Sequence, residues 1–340
     1  MKLRIPQKLK NGDTIAFISP SAGLAPFAMH RIEAAVSFFE GQGYKVKIGK
    51  HALKNDGYVS ASIQERVDDI HAAFRDPEIS CIITTIGGNH SNQLLQYIDW
   101  EMIKKNPKIF IGYSDVSVLH YGLQTQAELQ TYYGPCVMTQ FGENPEVFEY
   151  TWKSFNEVLV GEAETISVLA SDFWTDDATK NWFEKEDLIS ARQKKQNSGY
   201  VWIREGTAQG YITGGCVPSI NHLLGTKFWI DPKDSIFFID IPEGHELVKG
   251  LSLSDLDSYF ADLSNAGVFD VIRGLIVGRP YNYSEDEFKN MIEIIKRYTG
   301  HKKYPILANA NIGHADPIIT LPYGSEAILN SKNNSFTHTS

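Results

Sequence analysis

The sequence predicts an α/β protein, a mostly parallel N-terminal sheet followed by a second, smaller mixed α/β domain, on three observations. Short, continuously apolar runs alternate with stretches of helical periodicity, as in a parallel sheet covered on both faces. Several of those runs end in glycine or small polar residues. The pattern loosens mid-chain and then resumes. The 340 residues suffice for two domains sharing an interface.

DTIAFISPS (Asp13–Ser21) is the first apolar run, and MHRIEAAVSFFEGQGY the helix that follows it, closing on glycine. YKVKIGK alternates as a second strand. ASIQERVDDIHAAFRD places Ile63, Val67, Ile70 and Phe74 on one helical face. SCIITTIGGNHSNQLLQYID reads as a buried strand, a Gly-Gly turn and a helix, and KIFIGYSD as another strand. Together these give a Rossmann-like N-terminal half. From Gly142 to Tyr200 the sequence is polar and aromatic-dotted, so the expectation is a looped connecting segment. From Trp202 a second unit begins, with SIFFIDIPEG and VIRGLIVGRP as strands and helices through LDSYFADLSNAG and EFKNMIEIIKRY. The tail NSKNNSFTHTS reads as frayed. The expected division is an N-terminal domain at 1–165, a connecting segment at 166–205 and a C-terminal domain at 206–340.

Hydrophobic content of 42% and charged content of 21% exclude wholesale disorder. A net charge of −9, without basic clusters interleaved with aromatics, disfavours a nucleic-acid partner. The short basic run Arg192–Lys195 reads as a solvated loop. Three cysteines, Cys81, Cys136 and Cys216, have no CxxC spacing and suit buried thiols in a reducing compartment. The first residues lack an apolar h-region and no run reaches membrane-spanning length, so the expectation is a cytoplasmic protein without a membrane partner.

The stretch NPKIFIGYSDVSVLHYG puts Ser114 and Asp115 at the corner between a core strand and a core helix. A serine there is lifted out of the sheet, and the N–H of Asp115, at a helix N-terminus, can donate to a developing oxyanion. The other reading, which the motif alone favours, is that Ser114 or Asp115 caps the helix. In TTIGGNHSN the two glycines let backbone approach a ligand; if the strands ending at Gly87 and Gly112 are neighbours, a glycine N–H completes an oxyanion hole beside Ser114. Of ten histidines, His314 follows a short apolar strand and a glycine, on a strand-end loop. His120, six residues after Ser114, faces away from the corner, and His71 and His222 sit in helical patterns. Asp240 closes the apolar strand SIFFID, with Glu243 and Glu246 just beyond; a carboxylate in that position needs a hydrogen-bonding partner. No metal-ligand spacing is present. In WTDDATKNWF the aromatics either anchor a loop or border a site.

GDTIAFISPSAG, TTIGGNHSNQLLQYIDW, NPKIFIGYSD with YYGP after it, GYITGG, DVIRGLIVGRP and IGHADPIITLPYG occur in this order. Together they resemble the serine peptidase family of LD-carboxypeptidases and microcin C immunity proteins, nearer the immunity branch, over almost the whole chain. The resemblance implies Ser114 as nucleophile, His314 as general base and the N–H groups of Gly88 and Asp115 as oxyanion hole, with no metal or organic cofactor. It implies Asp240 as the triad acid where the family mostly has glutamate, with Glu243 as the alternative. It puts Cys216 where the family has a substrate-binding asparagine, and it makes the loop carrying Trp174 and Trp182 a wall of the substrate site. The implied substrate is a microcin C-type peptidyl- or aminoacyl-nucleotide, or else a cell-wall muropeptide; the departures at Asp240 and Cys216 leave a non-catalytic binding homologue as a third reading. A homodimer is also implied, with Phe141, Phe148 and Trp152 as interface candidates.

Overall fold

The computed structural model describes residues 3–246 and 248–339. The first half contains β1 (Thr14–Ile18), α1 (Met29–Gly41), β2 (Lys45–Ile48), α2 (Ile63–Arg75), β3 (Ile79–Thr84), α3 (Trp100–Lys105), β4 (Ile109–Gly112), α4 (Ser117–Ala127), β5 (Tyr132–Tyr133), α5 (Glu149–Leu159) and β6 (Thr165–Val168). The connecting segment adds a two-stranded ribbon of β7 (Phe173–Trp174) and β8 (Lys195–Gln196). Then follow β9 (Val201–Arg204), β10 (Thr207–Cys216), α6 (Val217–Asn221), β11 (Ser235–Asp240), α7 (Leu253–Asn265), α8 (Val268–Val271), β12 (Gly274–Gly278), α9 (Glu285–Thr299), β13 (Ile306–Ala310), β14 (Leu321–Pro322), β15 (Glu326–Asn330) and β16 (Ser335–Thr339).

Two sheets result. The first has the order β14-β5-β4-β3-β1-β2 and is parallel except for β14. The second has the order β6-β16-β15-β10-β11-β12-β13-β9, with a parallel centre from β10 to β13 and antiparallel strands on both sides. The central strands are buried along their whole length, which is why β1, β4, β11 and β12 read as apolar runs. Helices α2 and α9 start on capping boxes, Ser62 with Glu65 and Ser284 with Glu287, so their first turns are satisfied locally. Each sheet also holds a strand from the other half of the chain: β6 lies on the edge of the second sheet, and β14 on the edge of the first.

Five expectations need correction. The helix expected after the Gly-Gly turn is only a 3₁₀ turn at Ser91–Leu94; the Ser91 N–H is drawn to the Asp115 carboxylate, and Asp99 caps a new helix, α3. The stretch expected to be loops contains α5, whose Thr151, Phe155, Val158 and Leu159 are buried on one face, and β6. The tail is not frayed. β16 pairs with β15 on one side and β6 on the other, burying Phe336 and His338. The Arg192–Lys195 run is solvated at Gln193, Lys194 and Lys195 but not at Arg192, which pairs with Glu143 and Asp316 at 2.9 and 2.7 Å; Lys195, though exposed, pairs with Asp176 at 2.7 Å. Phe141 and Phe148 are buried in the chain's own core, so these two rings are not the surface of a dimer interface; Trp152 is half-buried and packs on Phe38 and Phe155.

Candidate active site

The carboxyl ends of the central strands of both sheets converge, the usual place for a site in open α/β sheets. On the first sheet, β3 and β4 are neighbours, so the Gly87–Gly88 turn lies beside the corner after Gly112. Ser114 takes φ +65°, a left-handed conformation that costs a non-glycine residue strain and turns its side chain out of the chain path. Gly87 lies flat against it: a Cβ there would fall 2.9 Å from Ser114 Oγ and 2.7 Å from Ser114 Cβ. Gly88 has φ +145°, and a Cβ on it would meet Ser21 Oγ at 2.5 Å. Both glycines are required by close approach.

Neither Ser114 nor Asp115 caps a helix. No side chain caps the 3₁₀ turn at Ser114–Val116 or the start of α4. Asp115 is buried and its Oδ2 accepts from Ser21 Oγ (2.5 Å), His90 N–H (3.0 Å) and Ser91 N–H (2.8 Å). Its carboxylate therefore ties the glycine turn to the serine corner. Beneath, buried His120 donates from Nε2 to the Gly112 carbonyl at 2.9 Å, and burial lowers its pKa to about 4, so it supports the corner as a neutral ring.

On the second sheet, Cys216 and Asp240 are register partners at the ends of β10 and β11. Asp240 is fully buried, and His314 Nδ1 lies 3.0 Å from each of its carboxylate oxygens. Tyr133 joins the two halves of the site: its hydroxyl donates to Asp240 Oδ2 and accepts from the Ser114 N–H at 3.1 Å. Burial works against a charge on His314, but Asp240 and Glu243 overcome it and push the imidazole up to about 9. His314 Nε2 has no hydrogen-bond partner, and Glu243 Oε2 stands 3.4 Å from it. The Tyr113 ring packs edge-on to the imidazole at 4.9 Å.

Cys216 Sγ, an Asp240 oxygen and a His314 nitrogen lie within 4.8 Å of one another, the one such grouping among the described residues. Burial, then Asp240 and Glu243, push the Cys216 thiol well above its usual range, and Asp240 is already held by Tyr133 and His314. A protonated thiol and a committed carboxylate suit a hydrogen-bonded triad better than a metal site. The Cys216 N–H donates to Ser117 Oγ (3.0 Å), which donates to the Ser114 carbonyl (2.7 Å). The structure thus gathers Ser114, Asp115, the glycine turn, Cys216, Asp240, Glu243 and His314. Trp174 and Trp182 each lie against cations: Trp182 under Arg31 at 4.0 Å, and Trp174 near Lys195 at 4.4 Å and Arg279 at 4.9 Å.

Two family models match the chain, the LD-carboxypeptidase N-terminal domain over residues 15–134 and the LD-carboxypeptidase C-terminal domain over residues 209–329. The chain belongs to the peptidase S66 family. This S66 protein is 30% identical over 332 residues to the microcin C7 self-immunity protein MccF of Escherichia coli, covering 96% of this chain and 93% of that one. An MccF-like protein from Bacillus anthracis superposes with a TM-score of 0.88 at 36% identity, covering 98% of this chain and 99% of that one. MccF in complex with glutamyl sulfamoyl guanosine gives 0.91 at 28% identity, covering 100% and 99%. The family makes the protein a serine-type carboxypeptidase, an amide hydrolase.

Sequence reasoning assigned no role in this S66 site to Tyr133, Ser21, Gln140 or Arg192. Gln140 donates to Asp316 at 3.0 Å, and Arg192 bridges Glu143 and Asp316, so the connecting segment is fastened to the loop that carries His314. The antiparallel bridge between Thr175 and Asp316 fastens it again. Tyr133 had a local signal, a tyrosine pair before a Gly-Pro turn, but its partners lie 19 and 107 residues away.

Proposed function

We propose that Ser114, His314 and Asp240 are the catalytic triad, that the N–H groups of Gly88 and Asp115 form the oxyanion hole, and that the substrate is a microcin C-type peptidyl- or aminoacyl-nucleotide. The observation that carries the triad is the continuous chain from the Ser114 N–H through Tyr133 and Asp240 to His314 Nδ1. With Nδ1–H held by Asp240, the neutral imidazole presents its Nε2 lone pair to the nucleophile. Nε2 takes the Ser114 proton as Oγ attacks the amide carbonyl, and negative charge collects on the carbonyl oxygen, opposite the two N–H donors. Collapse breaks the C–N bond, and Nε2 returns the proton to the leaving nitrogen. Water, deprotonated by Nε2, then attacks the acyl-enzyme and frees the acid and Ser114. Each step needs only groups of this chain and water.

The substrate class is supported by the likeness to MccF, which has been crystallised with glutamyl sulfamoyl guanosine and aspartyl sulfamoyl adenosine. The family description keeps a cell-wall L,D-amide as the second reading. In the proposal Trp182 and Trp174 line the nucleotide side of the cleft and Cys216 its floor. The protein works in the cytoplasm as a homodimer, with residues 1–165, 166–205 and 206–340 as nucleophile domain, connecting segment and domain of acid and base. The free, buried state of all three cysteines supports a reducing compartment, and no helix among the described residues is long and apolar enough to cross a membrane. Incubation with an aminoacyl-nucleotide and with a muropeptide, read by mass spectrometry, tests the substrate. Ser114→Ala should abolish turnover of whichever is cleaved and leave the thermal midpoint almost unchanged, because no helix cap is lost. Residual wild-type turnover in that variant would remove Ser114 as nucleophile. Light scattering that gives a monomer at all concentrations would remove the dimer.

A further inference from the structure

A second carboxylate faces the imidazole from the side opposite the triad acid. Glu243 Oε2 is 3.4 Å from His314 Nε2, the nitrogen that must be free to take the Ser114 proton. The histidine side chain is only 7% exposed, whereas that of Glu243 is 33% exposed and so within reach of a solute. Glu243 is held at the base of its loop by an antiparallel bridge to Gly250. Among the described residues no lysine or arginine pairs with Glu243. Lys249, close by in the chain, is held by Glu246 at 2.8 Å, and Arg192 is committed to Glu143 and Asp316. Asp240 and Asp316 add further negative charge near His314.

In the free protein this arrangement opposes catalysis, since a carboxylate beside Nε2 holds the ring as imidazolium. It becomes productive when a positive charge on the substrate takes Glu243 over and leaves Nε2 neutral. We infer that Glu243 is a specificity-determining residue, and that it recognises an ammonium or guanidinium group carried by the substrate next to the scissile amide. The inference rests on the triad proposed above. The charge belongs either to the acyl residue or to the leaving group, and the chemistry of recognition is the same.

Two sets of probes separate these sources. In one, lysyl, norleucyl and aspartyl sulfamoyl adenosine vary the acyl residue. In the other, peptides with a fixed neutral acyl residue release D-lysine or D-norleucine. The expected result is a lysine-over-norleucine preference in kcat/KM of about tenfold in one set, the discrimination of one partly desolvated ion pair. Glu243→Gln should reduce that ratio to near one, and Glu243→Lys should turn the acyl set, if that is the responding one, towards the aspartyl compound. Because a ratio is read, a change in overall rate cancels. The same ratios are measured as Kd on the Ser114→Ala protein, so absence of turnover would sink the hydrolase reading while the preference is still read by binding. A ratio near one in both sets for the wild type, a ratio that survives Glu243→Gln, or no binding of any lysine compound would overturn the inference.

Discussion

Asp240 has one methylene less than a glutamate, roughly 1.5 Å less reach, yet its carboxylate touches His314 Nδ1 at 3.0 Å. Gly313 makes this possible: at φ +100° it brings the histidine in so closely that a Cβ on it would lie 1.8 Å from Asp240 Oδ1. The short acid and the bare backbone beside it form a matched pair. Asp240→Asn should lose ~10⁴ in kcat/KM, the cost of the wrong histidine tautomer in serine proteases. Asp240→Glu, with no room for its extra methylene in a fully buried position, should lose about 10²-fold, the scale of a 1 Å misplacement. An Asp240→Glu variant as active as wild type would refute the fit. The imidazole of His314, raised to about 9, must lose its proton to act as base, so kcat/KM should climb with pH through that value. Glu243→Gln removes one of the charges that raise it, and the climb should move to lower pH; an unmoved profile would show that Glu243 is not sensed. Because the folded-state pKa is raised, the matching contribution to stability is complete below about 6.5 and is lost as pH rises through about 9. Melting temperature should therefore fall over that window, and less so in His314→Gln.

β16 illustrates what local sequence conceals. Phe336 is fully buried between β15 and β6, so Phe336→Ala should cost about 3–5 kcal/mol in urea unfolding. A loss below about 1 kcal/mol would mean that this strand is held by its backbone alone. The sequence around it is polar, and its alternation of Phe336 and His338 is too short to stand out. Its partner β6 lies more than 160 residues earlier in the chain. Strands β1, β3, β4 and β11 were legible because burial on both faces leaves a continuous apolar run, and α2 and α9 because their caps lie within four residues. The strand-end positions of Ser114, His314 and Asp240 were legible for a related reason, since such corners carry a local signature. Arg192 and Tyr133 were not, because nothing near them in the chain announces a partner across the sheet. Helix α5 was missed for a smaller reason: its buried face begins with Thr151, which breaks the apolar count.

The whole molecule is laced across its cleft. β14, which follows the His314 loop, hydrogen-bonds to β5 of the first sheet, while β6 has crossed to pair with β16 of the second. Arg192 and the Thr175–Asp316 bridge add side-chain and backbone ties between the connecting segment and that loop. Opening the cleft by parting the sheets would break these ladders, so substrate should enter past the surface loops instead. Lys185 lies in an exposed turn between the two halves. Trypsin cutting there should give two pieces that elute together and part only in denaturant; separate elution in native buffer would contradict the lacing. Each piece would carry one strand that belongs to the other, so neither should fold to completion by itself. Expressed from two separate genes, residues 1–185 and 186–340 should therefore find each other and restore hydrolysis, with the nucleophile supplied by one polypeptide and its base by the other.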